Sequence, residues 1–295
     1  MAAREASLPQ DEKALHNRPT IVSNKQEIKN RRDHYLPKGY LKGFIDVSCE
    51  NEERPLWRFD VRHNSWSQRS TTGVGYRTGF YDYAGTGWES VESAFLKLEN
   101  DYPLICARIV SSGFTEWIGH RMFLLSYMQM MSARSLLFFE RMHAKGKDLK
   151  VPVVNEVLPD GKVNLSFAPS LPSEGLIKNW SLSQMCREMM RGAPELYDFD
   201  WTLRFCDSPR DPFVVSESPF ALQGSRPEAT LEEAFQHPDS LLFFPLCWQA
   251  ILVGSRRPFN IKTDRFAPAD IRRCRRMYRD SAKLFLVSPS KLNDF

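Results

Sequence analysis

Bulky and polar side chains alternate along Leu56-Trp57-Arg58-Phe59-Asp60-Val61, the period of a half-buried β-strand. His63-Asn64-Ser65 then reads as a turn and Trp66-Ser67-Gln68 as the returning arm of a hairpin. This arm leads through Gly73, Gly75 and Gly79 to the aromatic run Phe80-Tyr81-Asp82-Tyr83. The period changes to that of a helix over Trp88 to Ile109, where Val91, Phe95, Leu98 and Tyr102 share a stripe and Pro103 should end or kink the element. A second helix is predicted from Thr115, as N-cap, to His143. Ile118, Met122, Leu125, Met128 and Met131 form its stripe, and its nearly all-round apolar character marks it as the central core helix.

Lys145 to Pro172 is rich in Pro, Gly, Asn and Asp, with a turn at Gly161, and reads as an inserted loop or hairpin, so that 145–175 is the best place for a boundary. Asn179 to Gly192 returns to helix with Ser181 as its cap. Short β-prone runs follow at Asp200 to Cys206, Pro212 to Ser216, Ser240 to Leu246 and Ala250 to Ser255, and a helix over Ala267 to Leu286 closes the chain. Helices and strands come in blocks, which predicts an α+β fold: a central bundle of long helices packed against a small, mostly antiparallel sheet. The first 29 residues are polar and aperiodic and read as a flexible arm, leaving residues 30–295 as one domain.

Composition adds limits. With 42% hydrophobic and 26% charged residues the 295-residue chain can bury a sizeable core, and a formal charge of +4 points to no partner unless the basic residues cluster. None of the six cysteines lies in a Cys-x-x-Cys pair, which favours a reducing compartment. Met1 to Leu15 lacks the apolar core of a signal peptide. The longest apolar run, Trp117 to Met131, is interrupted by His120, Arg121 and Gln129. The expectation is a cytoplasmic protein with no membrane partner; the sequence specifies neither a cofactor nor an oligomeric state.

Two boxes stand out, Arg32 to Phe44 (RDHYLPKGYLKGF) and Pro212 to Pro219 (PFVVSESP). Together they resemble the signature segments of the domain of unknown function 4238 family over roughly Asp33 to Val287. The opening hallmark corresponds to His34-Tyr35-Leu36-Pro37 and Tyr40-Leu41-Lys42-Gly43-Phe44, and the second to Ser216-Glu217-Ser218-Pro219. The family usually has Asp where this chain has Glu217, so the carboxylate is kept and its reach lengthened. Glu92 and Glu99, Arg134-Ser135, a Phe244-Pro245-Leu246 strand, and Ala282 followed by an apolar strand, Phe285 to Val287, complete the likeness.

Read as chemistry, His34 is a proton carrier or ligand on a rigid Tyr-x-Pro turn, or simply a cap of the first element. Ser216 and Glu217 stand at the end of an apolar strand, where active-site groups are commonly presented and where a Ser/Pro turn would also look this way. Arg134, on an apolar helix, needs a partner such as Glu217 or Glu99 and would serve as an anion clamp. His34, Glu99, Asp211 and Glu217 would suit Mg²⁺ or Mn²⁺ if they gathered, though nothing in their spacing demands it.

Arg265, Arg272, Arg276, Arg279 and Lys283 form a basic face opposite Ile271, Cys274, Tyr278, Ala282 and Phe285 on the last helix, a face suited to phosphate or a solvated amphipathic surface. No Walker loop, Gly-x-Gly-x-x-Gly, His-Glu-x-x-His or Gly-x-Ser-x-Gly is present. Two expectations follow. One is a hydrolase of nucleic acid or another phosphate-bearing ligand, nuclease-like, built on His34, Arg134, Ser216 and Glu217. The other is a non-enzymatic interaction or nucleic-acid-binding module whose two boxes are structural.

Overall fold

The computed structural model describes residues 32–45, 56–82, 92–157, 162–168, 172–191, 194–223, 237–258 and 265–293. The expected N-terminal arm, Tyr83, Trp88, the Val91 stripe position, the Gly161 turn and the Gly192 helix end lie outside these residues. The α+β class holds, with the strands divided among four antiparallel sheets in place of one small sheet.

The first box forms β1 (Arg32–His34), α1 (Lys38–Leu41) and a single 3-10 turn (Lys42–Phe44). Pro37 cannot donate to a preceding turn and has extended ψ, so α1 starts immediately after it. β1 pairs with β4 (Tyr76–Thr78), His34 opposite Tyr76. Between them Gly75 has φ +66°, and a Cβ there would come within 2.7 Å of the Leu36 side chain, so the turn requires glycine on two counts.

The predicted hairpin is β2 (Leu56–Asp60) and β3 (Ser65–Arg69). It joins β12 (Phe285–Ser288) and β8 (Val215–Ser216) in the order β3-β2-β12-β8. The second four-stranded sheet runs β7 (Asp200–Phe205), β11 (Ala250–Ser255), β10 (Leu241–Pro245), β9 (Ala221–Gln223). The stretch read as an inserted loop or hairpin carries the paired strands β5 (Val151–Val157) and β6 (Val163–Ala168).

Four helix expectations need correction. Of the two effects expected of Pro103, ending the helix does not occur, since it lies inside α2 (Glu92–Ser112). The long second helix is two: α3 (Phe114–Ala133) stops at Arg134, and α4 (Leu136–Gly146) restarts because Ser135 Oγ accepts the Phe138 amide at 3.2 Å as an N-cap. Ser181 is no cap. It lies within α5 (Glu174–Arg191), its hydroxyl donating to the Ile177 carbonyl at 2.8 Å. After the short α6 (Pro194–Tyr197) and the strands, α7 (Pro268–Ser281) ends five residues earlier than predicted, and Phe285 to Val287 belong to β12.

α2 packs on α3, and α5 on both α3 and α4. Leu125, Met128 and Met131 of the predicted stripe are buried, but Ile118 and Met122 are 59% and 63% exposed, and Trp117, Leu124 and Tyr127 complete the buried part of α3. Tyrosines tie helices to β10 and the turn beyond it. Tyr40 donates to Pro245 O at 2.7 Å, Tyr102 to Leu246 O at 2.6 Å and Tyr278 to Phe243 O at 2.9 Å, which satisfies hydroxyls that would be costly to bury alone.

Candidate functional site

β1 delivers His34 into the interior, where its ring is 6% exposed and its Nε2 meets no hydrogen-bond partner among the described residues. Burial, with the charges of Lys38 and Arg134, lowers its pKa to about 4, backbone groups of Thr72 and Arg32 pulling the other way. The imidazole is therefore neutral at pH 7. Its ring lies 5.9 Å from that of Tyr76.

Arg134 is placed by the α3–α4 break and is 1% exposed. Its Nε donates to Tyr81 Oη at 3.0 Å, one Nη to Glu99 and the other to the backbone carbonyl of His34. The guanidinium also lies 4.6 Å from the centre of the Phe95 ring. Burial opposes its charge, yet Tyr81 and Glu99 together hold its pKa above the ordinary value. Burial pushes the Tyr81 phenol up to about 12, and the Tyr81 amide donates to Asp33 Oδ2 at 2.9 Å. The structure thus brings His34 and Arg134 together through the His34 carbonyl, with Glu99 as the ion-pair partner. Of the two partners considered for Arg134, Glu217 is not the one that meets it.

Ser216 and Glu217 serve a different junction. Ser216 Oγ donates to Ser218 O at 2.7 Å and accepts the Ser218 amide at 3.2 Å, a closed local turn. The Glu217 carboxylate accepts the amides of Lys283, Leu284 (3.2 Å) and Phe285 (3.1 Å), the three residues that lead into β12. With these amides turned toward Glu217, the chain passes from the end of α7 into a strand that pairs with both β8 and β2. Burial raises the Glu217 pKa against the pull of these amides. Burial drives the Tyr35 phenol upward, and the Glu217 charge acts in the same direction.

The remaining candidates separate by exposure. Arg272 and Arg276 project from α7 into solvent, joined by Arg273; Arg279 is half-buried. Arg265 precedes the helix and pairs with Asp207, both exposed. Arg275, which the helical spacing did not single out, is 3% exposed and donates to Asp211 Oδ1 at 2.7 Å. Its signal in the sequence was its place beside Cys274 and Tyr278 on the apolar side. Glu99 and Asp211 thus each hold a buried arginine. Among the described residues no three His, Cys, Asp or Glu side chains gather as a metal site would, so His34, Glu99, Asp211 and Glu217 do not form one. No helix among them is long and apolar enough to cross a membrane.

One concavity does involve a box. A cavity of about 530 Å³ lies between α2 and the turn joining β10 to β11, walled by Gly39, Lys42 and Gly43 of the first box and by Tyr102, Cys106 and Cys247. Gly43 is tight, since a Cβ there would stand 3.0 Å from Cys247 Cβ.

Residues 32–273 match the family model described as protein of unknown function (DUF4238). No curated protein and no solved structure matches the chain.

Proposed function

The chain belongs to the DUF4238 family, and from that premise we propose that it is a non-enzymatic binding module for a phosphate-bearing ligand, nucleic acid being the class to test first. Both boxes act as internal braces in this reading, and helices α2 to α5 are the central bundle they secure. The observation that carries it is the direction of the polar groups: Arg134, Ser216 and Glu217 make their hydrogen bonds to the protein itself, largely to backbone. A hydrolase needs such groups aimed at a substrate.

The contact surface is the exposed arginine side of α7, Arg272, Arg273 and Arg276, where guanidinium groups can take phosphate oxygens bidentately. Arg275 and Asp211 anchor that helix from beneath. The test is a titration of a fluorescent DNA duplex with wild type and Arg272→Glu/Arg276→Glu, the probe being run on a gel afterwards. Binding lost in the double variant with an intact probe supports the module. Cleavage of the probe that disappears in Glu217→Gln protein of unchanged stability restores the nuclease-like alternative.

A further inference from the structure

The turn between β10 and β11 is held on several sides. Leu246 N and Cys247 N donate to Ala250 O, Cys206 N to Gln249 O, Phe213 N to Trp248 O, and Trp248 N to Gly43 O. Cys247 therefore sits in a turn whose next two residues, Trp248 and Gln249, are tied by backbone bonds to three other segments. Cys106 is fixed independently by α2, one turn beyond Tyr102, whose hydroxyl bonds the same Leu246 carbonyl that accepts the Cys106 thiol at 3.6 Å. The two thiols are free, both line the 530 Å³ cavity, and the Leu246 carbonyl that the Cys106 thiol reaches belongs to the residue just before Cys247. Adjacent thiols on separate rigid elements, with a space beside them large enough for a small reagent, form more than a packing contact.

We propose that Cys106 and Cys247 form an oxidant-responsive dithiol in the wall of this cavity, with a small hydroperoxide as the reagent and Cys247 as the thiol attacked first. The neighbouring Cys106 thiol lowers the Cys247 pKa, with the backbone of Gln249 and Ala250 acting the same way and burial opposing, whereas the Cys106 thiol is pushed up. The Cys247 thiolate attacks one peroxide oxygen and the O–O bond breaks. The leaving oxygen takes a proton and departs as water, or as an alcohol from an organic peroxide, and Cys247 is left as the sulfenic acid. Cys106 then attacks that sulfur, the S–O bond breaks, and its hydroxyl leaves as a second water with the Cys106 proton, giving the disulfide. Both thiols are oxidised by two electrons in all and the peroxide is reduced by two. A dithiol reductant reverses the step.

Cys206 and Cys274 provide internal comparison: burial pushes each thiol up to about 12. Cys186, half-buried on α5, reports ordinary exposure. The experiment treats reduced full-length protein with hydrogen peroxide at near-stoichiometric dose, blocks remaining thiols with an alkylating agent, and maps peptides without reduction. The expected result is one dominant cross-link joining the Cys106 and Cys247 peptides, reversed by dithiothreitol and formed at least about tenfold faster than Cys186 is consumed. A cross-link through Cys206 or Cys186, or consumption of Cys106 and Cys247 no faster than Cys186, overturns the proposal. In Cys106→Ser the sulfenic acid should persist on Cys247 and be captured by dimedone, and capture at any other cysteine counts against the order of attack. The wild-type mapping decides the pairing without any variant.

Discussion

Replacing Arg134 by Met removes a side chain that reaches the first box, α2 and the aromatic turn at once, while the thioether chain of Met still covers the Phe95 ring. Three hydrogen bonds from a buried charge are lost, to Tyr81, Glu99 and the His34 carbonyl. Deleting one partner of a buried ion pair costs about 3–5 kcal/mol. Glu99 is 19% exposed and regains some water, so the lower end applies, about 3 kcal/mol. That is a large share of the ~5–15 kcal/mol that holds a domain together, and it should move the urea midpoint well clear of error. Tryptophan fluorescence during urea unfolding at pH 7 reads it. Glu99→Gln alone should cost less. The double variant, with neither charge left buried, should be more stable than the summed singles by about 1–2 kcal/mol. A loss under about 1 kcal/mol for Arg134→Met, or strict additivity in the double variant, would refute the brace.

Acid should expose His34. Its pKa is about 4 in the fold against 6.5 when free, so the unfolded chain takes up the proton first; stability from the neutral ring is complete above pH 6.5 and is lost as pH falls toward 4. Wild type should lose about 1–2 kcal/mol more than His34→Gln between pH 7.5 and pH 5, the lower figure allowing for solvent screening; equal losses would remove His34 as the cause. Glu217→Asp keeps the carboxylate but shortens the reach to the amides of residues 283 to 285 by one methylene, and thermal melts should show a loss of about 1–2 kcal/mol. A variant as stable as wild type would show that the extra length does nothing here. Gly75→Ala meets both a left-handed φ and the Leu36 side chain and should cost more than about 1 kcal/mol in the same assay; an unchanged melting temperature would contradict that geometry.

Local chemistry was readable from the chain, and long-range pairing was not. The β2–β3 hairpin follows from alternation alone, because a half-buried strand repeats every two residues and the turn at Asn64 accepts φ 47°. The break at Arg134 was written in Ser135, a cap residue inside an apolar run, but hydrophobic periodicity passes through a one-residue interruption without registering it. Phe285 keeps the helical spacing of α7, which predicts helix to Leu286, although the family likeness implies a strand over Phe285 to Val287. In the structure they pair with β2 and β8, and the amides leading into them meet Glu217, 66 residues before the first of these amides, contacts that no local signal carries. The need of Arg134 for a carboxylate was legible from burial physics, while the choice of Glu99 over Glu217 was decided by the packing of α2 on α3. Arg275 shows the same limit: an arginine among arginines looks solvated until Asp211 is folded beneath it.

The most direct test of the account is the salt dependence of duplex DNA binding. With Arg272, Arg273 and Arg276 each neutralising one phosphate, the logarithm of the binding constant should fall with the logarithm of salt concentration with slope about −2.7 in wild type. His34→Gln and Glu217→Asp proteins, still folded, should keep that slope, whereas Arg272→Glu/Arg276→Glu should bring it above about −1. Binding that ignores salt, or a slope unchanged by reversing the two arginines, would contradict the assignment of α7 as the contact and of the boxes as braces.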